Sequence, residues 1–93
     1  MNQIDRIKYM EGCFDRASEA VKQLTAALDL YAEVQEDIRQ LSEYYGSKDW
    51  KRDFAADEAG RLPADLKRGV LSEDAVWNLL TDIKAIDERI VSR

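Results

Sequence analysis

The sequence predicts an all-α protein, and two apolar seams and one helix-capping signal lead to that prediction. In the first seam, apolar residues recur at alternating steps of four and three, which is the spacing of a helical heptad. Its members are Met10, Phe14, Ala17, Val21, Leu24, Leu28 and Tyr31. The same spacing returns over residues 76–90, after the N-capping serine Ser72. We therefore expect a helical bundle with a long N-terminal helix, a short middle helix and a C-terminal helix.

The N-terminal segment, residues 2–45, permits two structures. The seam shifts around the helix after Tyr31, because Val34 comes one residue early, and a turn between residues 28 and 33 would fold the segment in two. A continuous helix would instead extend ~65 Å, against a diameter of roughly 30 Å for a compact domain of this length. No glycine or proline lies between Cys13 and Tyr45 to favour a break. Both a continuous helix and a bent or broken one remain open.

The middle helix is predicted from its boundaries. Gly46 suits the position after a helix end, Ser47 suits an N-cap, and Gly60 ends the helix predicted over residues 48–59. Trp50 and Phe54 lie one turn apart on its apolar face. A third aromatic residue lies early in the C-terminal helix, which we expect to run over residues 73–92. The predicted structural anchors of the core are Trp50, Phe54 and Trp77.

The connecting segment contains the only proline, Pro63, and the glycine Gly69. Proline is favoured at a first helical position and glycine just after a helix end, so residues 64–68 are predicted to form about one helical turn. Leu71 and Val76, on either side of the Ser72 cap, occupy the two positions of a hydrophobic staple.

Composition limits both the class of protein and its partners. With 93 residues, 45% of them apolar, the chain is predicted to be one domain, residues 1–93. Its net charge of −5 argues against non-specific nucleic-acid binding, which needs positive charge to release counterions. No apolar run approaches the ~20 residues of a membrane span. The single cysteine fits a reducing cytoplasm, where we expect the protein to be.

The residue inventory leaves little chemistry for catalysis. There is no histidine, the commonest general base and transition-metal ligand, and one cysteine cannot build a usual zinc site. Asp53 and Asp57 lie one helical turn apart and could hold a hard cation, but we expect them to form a solvated acidic helix face instead. We predict a non-enzymatic protein with no catalytic residues, no bound metal and no cofactor.

Two motifs in the central region resemble a known family. The first is Y-Y-G-S-K-D-W at residues 44–50, and the second is L-P-A-D-L-K-R-G-V-L-S-E-D at residues 62–74. Together they resemble a family of small bacterial proteins catalogued as a domain of unknown function. The resemblance is specific over residues 44–80 and rests on helical periodicity alone outside them. It implies a bacterial, all-helical, cytoplasmic domain and brings no activity, cofactor or site residue.

The predicted function is therefore a protein–protein interaction or structural module of unknown biological role. The apolar face of the N-terminal segment is longer than a C-terminal helix of roughly 30 Å can cover. We expect a homodimer that pairs like an antiparallel coiled coil, with an unknown protein partner or a closed monomer as alternatives. The residues predicted to form the interface are Ile4, Ile7, Met10 and Phe14.

The alternative function is a helix-turn-helix-like nucleic-acid-binding or regulatory protein that uses residues 64–92. A helical turn, a glycine and a capped helix would follow one another there in the rhythm of that motif. Glu73 and Asp74 open the second helix, where acids would face phosphates or base edges. Because these acids would repel phosphates, nucleic acid is a less favoured partner than protein.

Overall fold

A computed structural model describes residues 2–91 and shows an all-α fold, as the seams predict. Within that range there are four α-helices, one short 3₁₀ helix and no strand. In chain order the elements are α1 (Gln3–Glu33), α2 (Gln35–Tyr44), α3 (Lys48–Glu58), the 3₁₀ helix (Gly69–Leu71) and α4 (Glu73–Val91). Ser92, the predicted end of the last helix, lies outside the described residues.

The N-terminal segment contains two helices, α1 and α2, with a single residue between them. Asn2 caps α1 by accepting a 2.8 Å hydrogen bond from the backbone N–H of Asp5. The helix then continues through residues 28–33, so the turn considered there is absent. The interruption falls at Val34, with φ −96° and ψ 8°, where the apolar seam changes step. Beside it, the Gln35 side-chain amide donates to the Tyr31 carbonyl at 2.9 Å.

The chain divides into two compact units, one ending at Glu36 and the other beginning at Asp37. The first consists of α1 and the start of α2. In the second, α3 and α4 both contact the 3₁₀ helix. Its buried apolar residues are Trp50 on α3, Leu71 on the 3₁₀ helix and Val76 on α4. The small core of this unit therefore joins α3 to the 3₁₀ helix and α4, which lie farther along the chain.

The caps of the second unit are those that the sequence predicts. Ser47 accepts a 3.1 Å hydrogen bond from the Trp50 N–H and so begins α3. Gly46 and Gly60 both have positive φ, 80° and 71°, a region that glycine enters without steric cost. Ser72 accepts from the Ala75 N–H at 3.3 Å at the start of α4. Local capping chemistry thus fixes where α3 and α4 begin.

The helical turn predicted over residues 64–68 is wrong. A turn closed by a 3.2 Å hydrogen bond from the Leu66 N–H to the Pro63 carbonyl stands there instead. The helical turn comes later, as the 3₁₀ helix, because the core holds that segment: Leu71 is buried, and the Trp50 indole donates to the Val70 carbonyl at 2.9 Å. Because no helix lies directly before Gly69, the order helix, glycine turn, helix that had suggested nucleic-acid binding is not present in this segment.

Gly60→Ala is expected to lower the free energy of unfolding by about 1–2 kcal/mol, because φ of +71° forces an alanine Cβ towards its own carbonyl. Gly69→Ala is the matched control: its φ is not positive and no atom lies within 4 Å of an added Cβ. The control should be neutral or slightly stabilising. Urea midpoints measured by circular dichroism compare the two, and equal midpoints would contradict the prediction.

Candidate interaction surface

The helix α1 carries an apolar face that nothing in its own unit covers. None of its residues is buried. The four residues predicted to form the interface all lie on it and are all exposed: Ile4 by 65%, Ile7 by 52%, Met10 by 55% and Phe14 by 67%. A lone helix has no neighbouring helix against which to bury such a face. Nothing within the first unit therefore covers these four side chains.

The exposed face continues along the rest of the helix. Val21 is 63% exposed, Leu24 60% and Leu28 43%, and all three belong to the heptad seam. We call the seven residues Ile4, Ile7, Met10, Phe14, Val21, Leu24 and Leu28 the α1 face. It extends well beyond the N-terminal half of the helix on which the sequence analysis placed the interface.

A shallow depression lies between side chains at the N-terminal part of the α1 face. Ile7, Met10, Glu11 and Phe14 lie around it, with Arg6 and Cys13 on its flank. The first four are spaced i, i+3, i+4 and i+7, the arrangement that receives one side chain of a partner helix in knobs-into-holes packing. Cys13 is half-buried, with the Arg16 guanidinium 3.7 Å from its sulfur. Side chains with this spacing surround a gap on any α-helix, and here three of the four are apolar, which is compatible with helix pairing.

Trp50 lies at the centre of the second unit. Its side chain is 8% exposed, stacks on Phe54 with 5.2 Å between ring centroids, and meets Tyr45 edge-on at 5.3 Å. Phe54 is half-buried beside it. The indole N–H donates to the Val70 carbonyl at 2.9 Å. Trp50 thus links α3 to the segment that precedes α4, the position that its predicted anchoring role requires.

Trp77, the third predicted anchor, is not in the core, because 58% of its surface is exposed. The inward position on this part of α4 belongs to Val76, which is 5% exposed. Consecutive residues of a helix point ~100° apart. Since Val76, Leu80 and Ile83 form the covered side of α4, the neighbouring indole faces outward.

A second apolar stripe lies on α4. Leu79 is 47% exposed, Ile86 41% and Ile90 46%, whereas the exposed Trp77 lies on the other flank of the helix, because residues point ~100° apart. The heptad spacing identified these aliphatic residues as an apolar face. The spacing does not predict that most of this face is exposed to solvent, because exposure depends on which other elements pack against it.

The paired carboxylates of α3 each have a partner within the protein. Asp53 accepts a hydrogen bond from the Tyr44 hydroxyl, and this bond, with a smaller contribution from burial, raises the pKa of Tyr44 to about 12. Asp57 accepts from the Arg68 guanidinium at 2.8 Å. Among residues 2–91 there is no group of three or more side chains arranged to hold a metal ion. These two carboxylates therefore connect α3 to the end of α2 and to the segment before the 3₁₀ helix.

Comparisons with known proteins show the family of the chain. Within the described part of the chain, no helix is both long enough and apolar enough to cross a membrane. A search of curated proteins and a search of solved structures found no match. A family model described as a domain of unknown function, DUF4298, matches residues 7–92. Because the match covers nearly the whole chain, it confirms the resemblance to a domain of unknown function, and the protein belongs to the DUF4298 family.

Proposed function

We propose that the protein is a non-enzymatic interaction module that pairs with a second copy of itself through the α1 face. The observation that carries the proposal is a 31-residue helix with no buried residue and a continuous apolar seam. In water, helices are stabilised mainly by packing an amphipathic face and not by intrinsic propensity. A partner for this face would supply that packing along the whole of α1.

The exposed area is of the size that a stable pair needs. Fully burying an apolar side chain contributes ~1.5–3 kcal/mol, which corresponds to ~60–120 Å². Seven side chains that are roughly half exposed then offer on the order of 400 Å² per copy. A standard interface buries ~800 Å² per partner, of which about 60% is apolar. The α1 face alone therefore provides most of the apolar area required.

The charges of α1 are compatible with self-pairing. The helix contains six acidic and four basic residues, and the charges alternate at the outer positions Lys8, Asp15, Lys22 and Asp29. The small excess of negative charge opposes self-association only weakly, because salt screens exposed charges. The non-enzymatic part of the proposal rests on the lack of histidine. A cytoplasmic setting in a bacterium is supported by the single cysteine and by the family resemblance.

We expect light scattering across a tenfold dilution to give the mass of two chains for the wild-type protein. Ile7→Asp and Phe14→Asp each place an acid on the α1 face, where pairing would bury an unpartnered charge, and both should give the mass of one chain. Ala26→Asp is the matched control, because Ala26 lies on the opposite side of the same helix and should leave the mass of two chains unchanged.

Circular dichroism of the same samples should show full helix content for Ala26→Asp and a lower helix content for the two dissociated variants, because α1 then lacks the packing of its partner. A wild-type mass of one chain at every concentration would overturn the proposal, as would a two-chain mass that both seam substitutions leave unaltered. Dissociation by Ala26→Asp to the same extent as by Phe14→Asp would mean that helix stability, and not the α1 face, controls the mass.

A further inference from the structure

We propose that the two α1 helices pair antiparallel, in the register that places Phe14 of one copy level with Ala17 of the other. This inference rests on the self-association proposed above and specifies its geometry. It is argued from the order of large and small residues along the seam and from the residues that flank the seam.

The seam contains a recess that fits its own largest exposed side chain. Phe14, Ala17, Ser18 and Val21 are spaced i, i+3, i+4 and i+7, so they surround one knob position on α1. The two central members, Ala17 and Ser18, are small and leave room above the helix backbone. In the proposed register the Phe14 ring of the second copy enters this recess. Two-fold symmetry then places the Phe14 ring of the first copy in the equivalent recess of the second.

The neighbouring layers in this register have similar volumes. Met10 of one copy lies level with Val21 of the other, and Ile7 lies level with Leu24. Each layer thus combines a larger side chain with a smaller or equal one, as does the Phe14–Ala17 layer. Facing helices interdigitate best when large and small residues alternate across the contact. The central layers can therefore pack at one constant distance between the helix axes.

Other arrangements lose this balance. A parallel pair in register stacks Phe14 on Phe14 and Ala17 on Ala17, so one layer is overpacked and the next contains a cavity, and both defects are destabilising. An antiparallel pair shifted by one heptad sets Phe14 against Leu24 and Ala17 against Val21, with the same alternation of crowded and empty layers. The proposed register is the one in which the seam is complementary to itself.

The flanks of the seam agree with this arrangement. In an antiparallel pair, each flank of one helix faces the same flank of the other. One flank carries Cys13, Ala20 and Ala27, whose short side chains let the two backbones approach closely. On the other flank, Glu11 lies near Ser18 of the second copy. No two like charges face each other across either flank, so electrostatics does not oppose the register.

Cys13, the only cysteine of the chain, allows the geometry to be tested by disulfide formation in the full-length protein. Ala20→Cys adds a thiol that faces Cys13 of the second copy in the proposed register. Ser18→Cys adds one that faces Cys13 in a parallel pair, and Ala27→Cys one that faces it in an antiparallel pair shifted by one heptad. Within one helix these thiols are ~7–20 Å away from Cys13 along the axis, so each disulfide must join two chains.

After mild oxidation, we expect most of the Ala20→Cys protein to migrate as a covalent dimer in a non-reducing gel and to return to the single-chain position with reductant. Wild type, Ser18→Cys and Ala27→Cys should remain at the single-chain position. Cross-linking of Ser18→Cys would overturn the register in favour of a parallel pair. Cross-linking of Ala27→Cys would overturn it in favour of the pair shifted by one heptad, in which Ala20→Cys also cross-links because residue 20 faces residue 20 of the second copy.

Light scattering of the same reduced samples separates the two proposals. A mass of two chains with no disulfide in any variant would overturn the antiparallel register and leave self-association intact. A mass of one chain would overturn self-association itself.

Discussion

Trp50→Ala is expected to lower the free energy of unfolding by about 3–5 kcal/mol. The substitution removes the most buried aromatic ring of the second unit, which is 8% exposed, together with its stacking on Phe54 and its edge contact with Tyr45. It also leaves the Val70 carbonyl without its indole donor. Small domains have a total stability of only ~5–15 kcal/mol, so this loss is a large part of the whole.

The measurement is the urea midpoint by far-ultraviolet circular dichroism, at one fixed protein concentration because association would stabilise the folded state. Trp50→Phe keeps an aromatic ring but removes the indole N–H donor and part of the buried ring, and should cost ~1–3 kcal/mol, less than Trp50→Ala. Trp77→Ala removes a side chain that is 58% exposed and should cost far less than Trp50→Ala. Equal losses for Trp77→Ala and Trp50→Ala would show that a partner buries Trp77.

Leu71→Ala is expected to cost about 2–5 kcal/mol, the range for truncating a buried leucine. Leu71 is 7% exposed and belongs to the 3₁₀ helix, which both α3 and α4 contact. Its removal leaves a cavity where three elements meet. The expected result is a lower urea midpoint and an earlier thermal transition, since about 1 kcal/mol shifts the melting temperature of a domain this small by ~4–8 °C.

Leu79→Ala is the matched control for Leu71→Ala, because it makes the same chemical change at a side chain that is 47% exposed. It should cost no more than ~1 kcal/mol, about half of the smallest loss expected for the buried leucine. A midpoint for Leu71→Ala that equals that of Leu79→Ala would mean that the 3₁₀ helix does not hold α3 and α4 together.

The helices and their caps could be predicted because their causes are local. The seam of α1, the Ser47 and Ser72 caps, and the left-handed Gly46 and Gly60 each depend on residues within one or two turns of one another. Hydrogen bonds from backbone N–H groups to the two serines, and positive φ at the two glycines, confirm those signals. The resemblance to a domain of unknown function is also confirmed, by the family model that matches residues 7–92.

Heptad periodicity identifies an apolar face but not the surface that covers it. It predicted the α1 face and the α4 seam equally well, and both are largely exposed in the structure. Whether a second copy covers the α1 face depends on contacts between chains, which heptad periodicity alone does not reveal. The predicted interface on α1 therefore remains a proposal. Its most specific form is the antiparallel register of the two α1 helices.

The sequence by itself determined the fold class, the bounds of α3 and α4 to within a residue or so at each end, and the family. Only the tertiary structure decided which tryptophan is buried and where the chain is helical between Pro63 and Ser72. Trp50 and Trp77 both lie on apolar helical stretches, but only Trp50 finds a carbonyl acceptor, at Val70, and two aromatic neighbours. That contact lies twenty residues away in sequence, and the same core holds Leu71 in a 3₁₀ helix. Long-range burial outweighs the local preference that had placed a helical turn directly after Pro63.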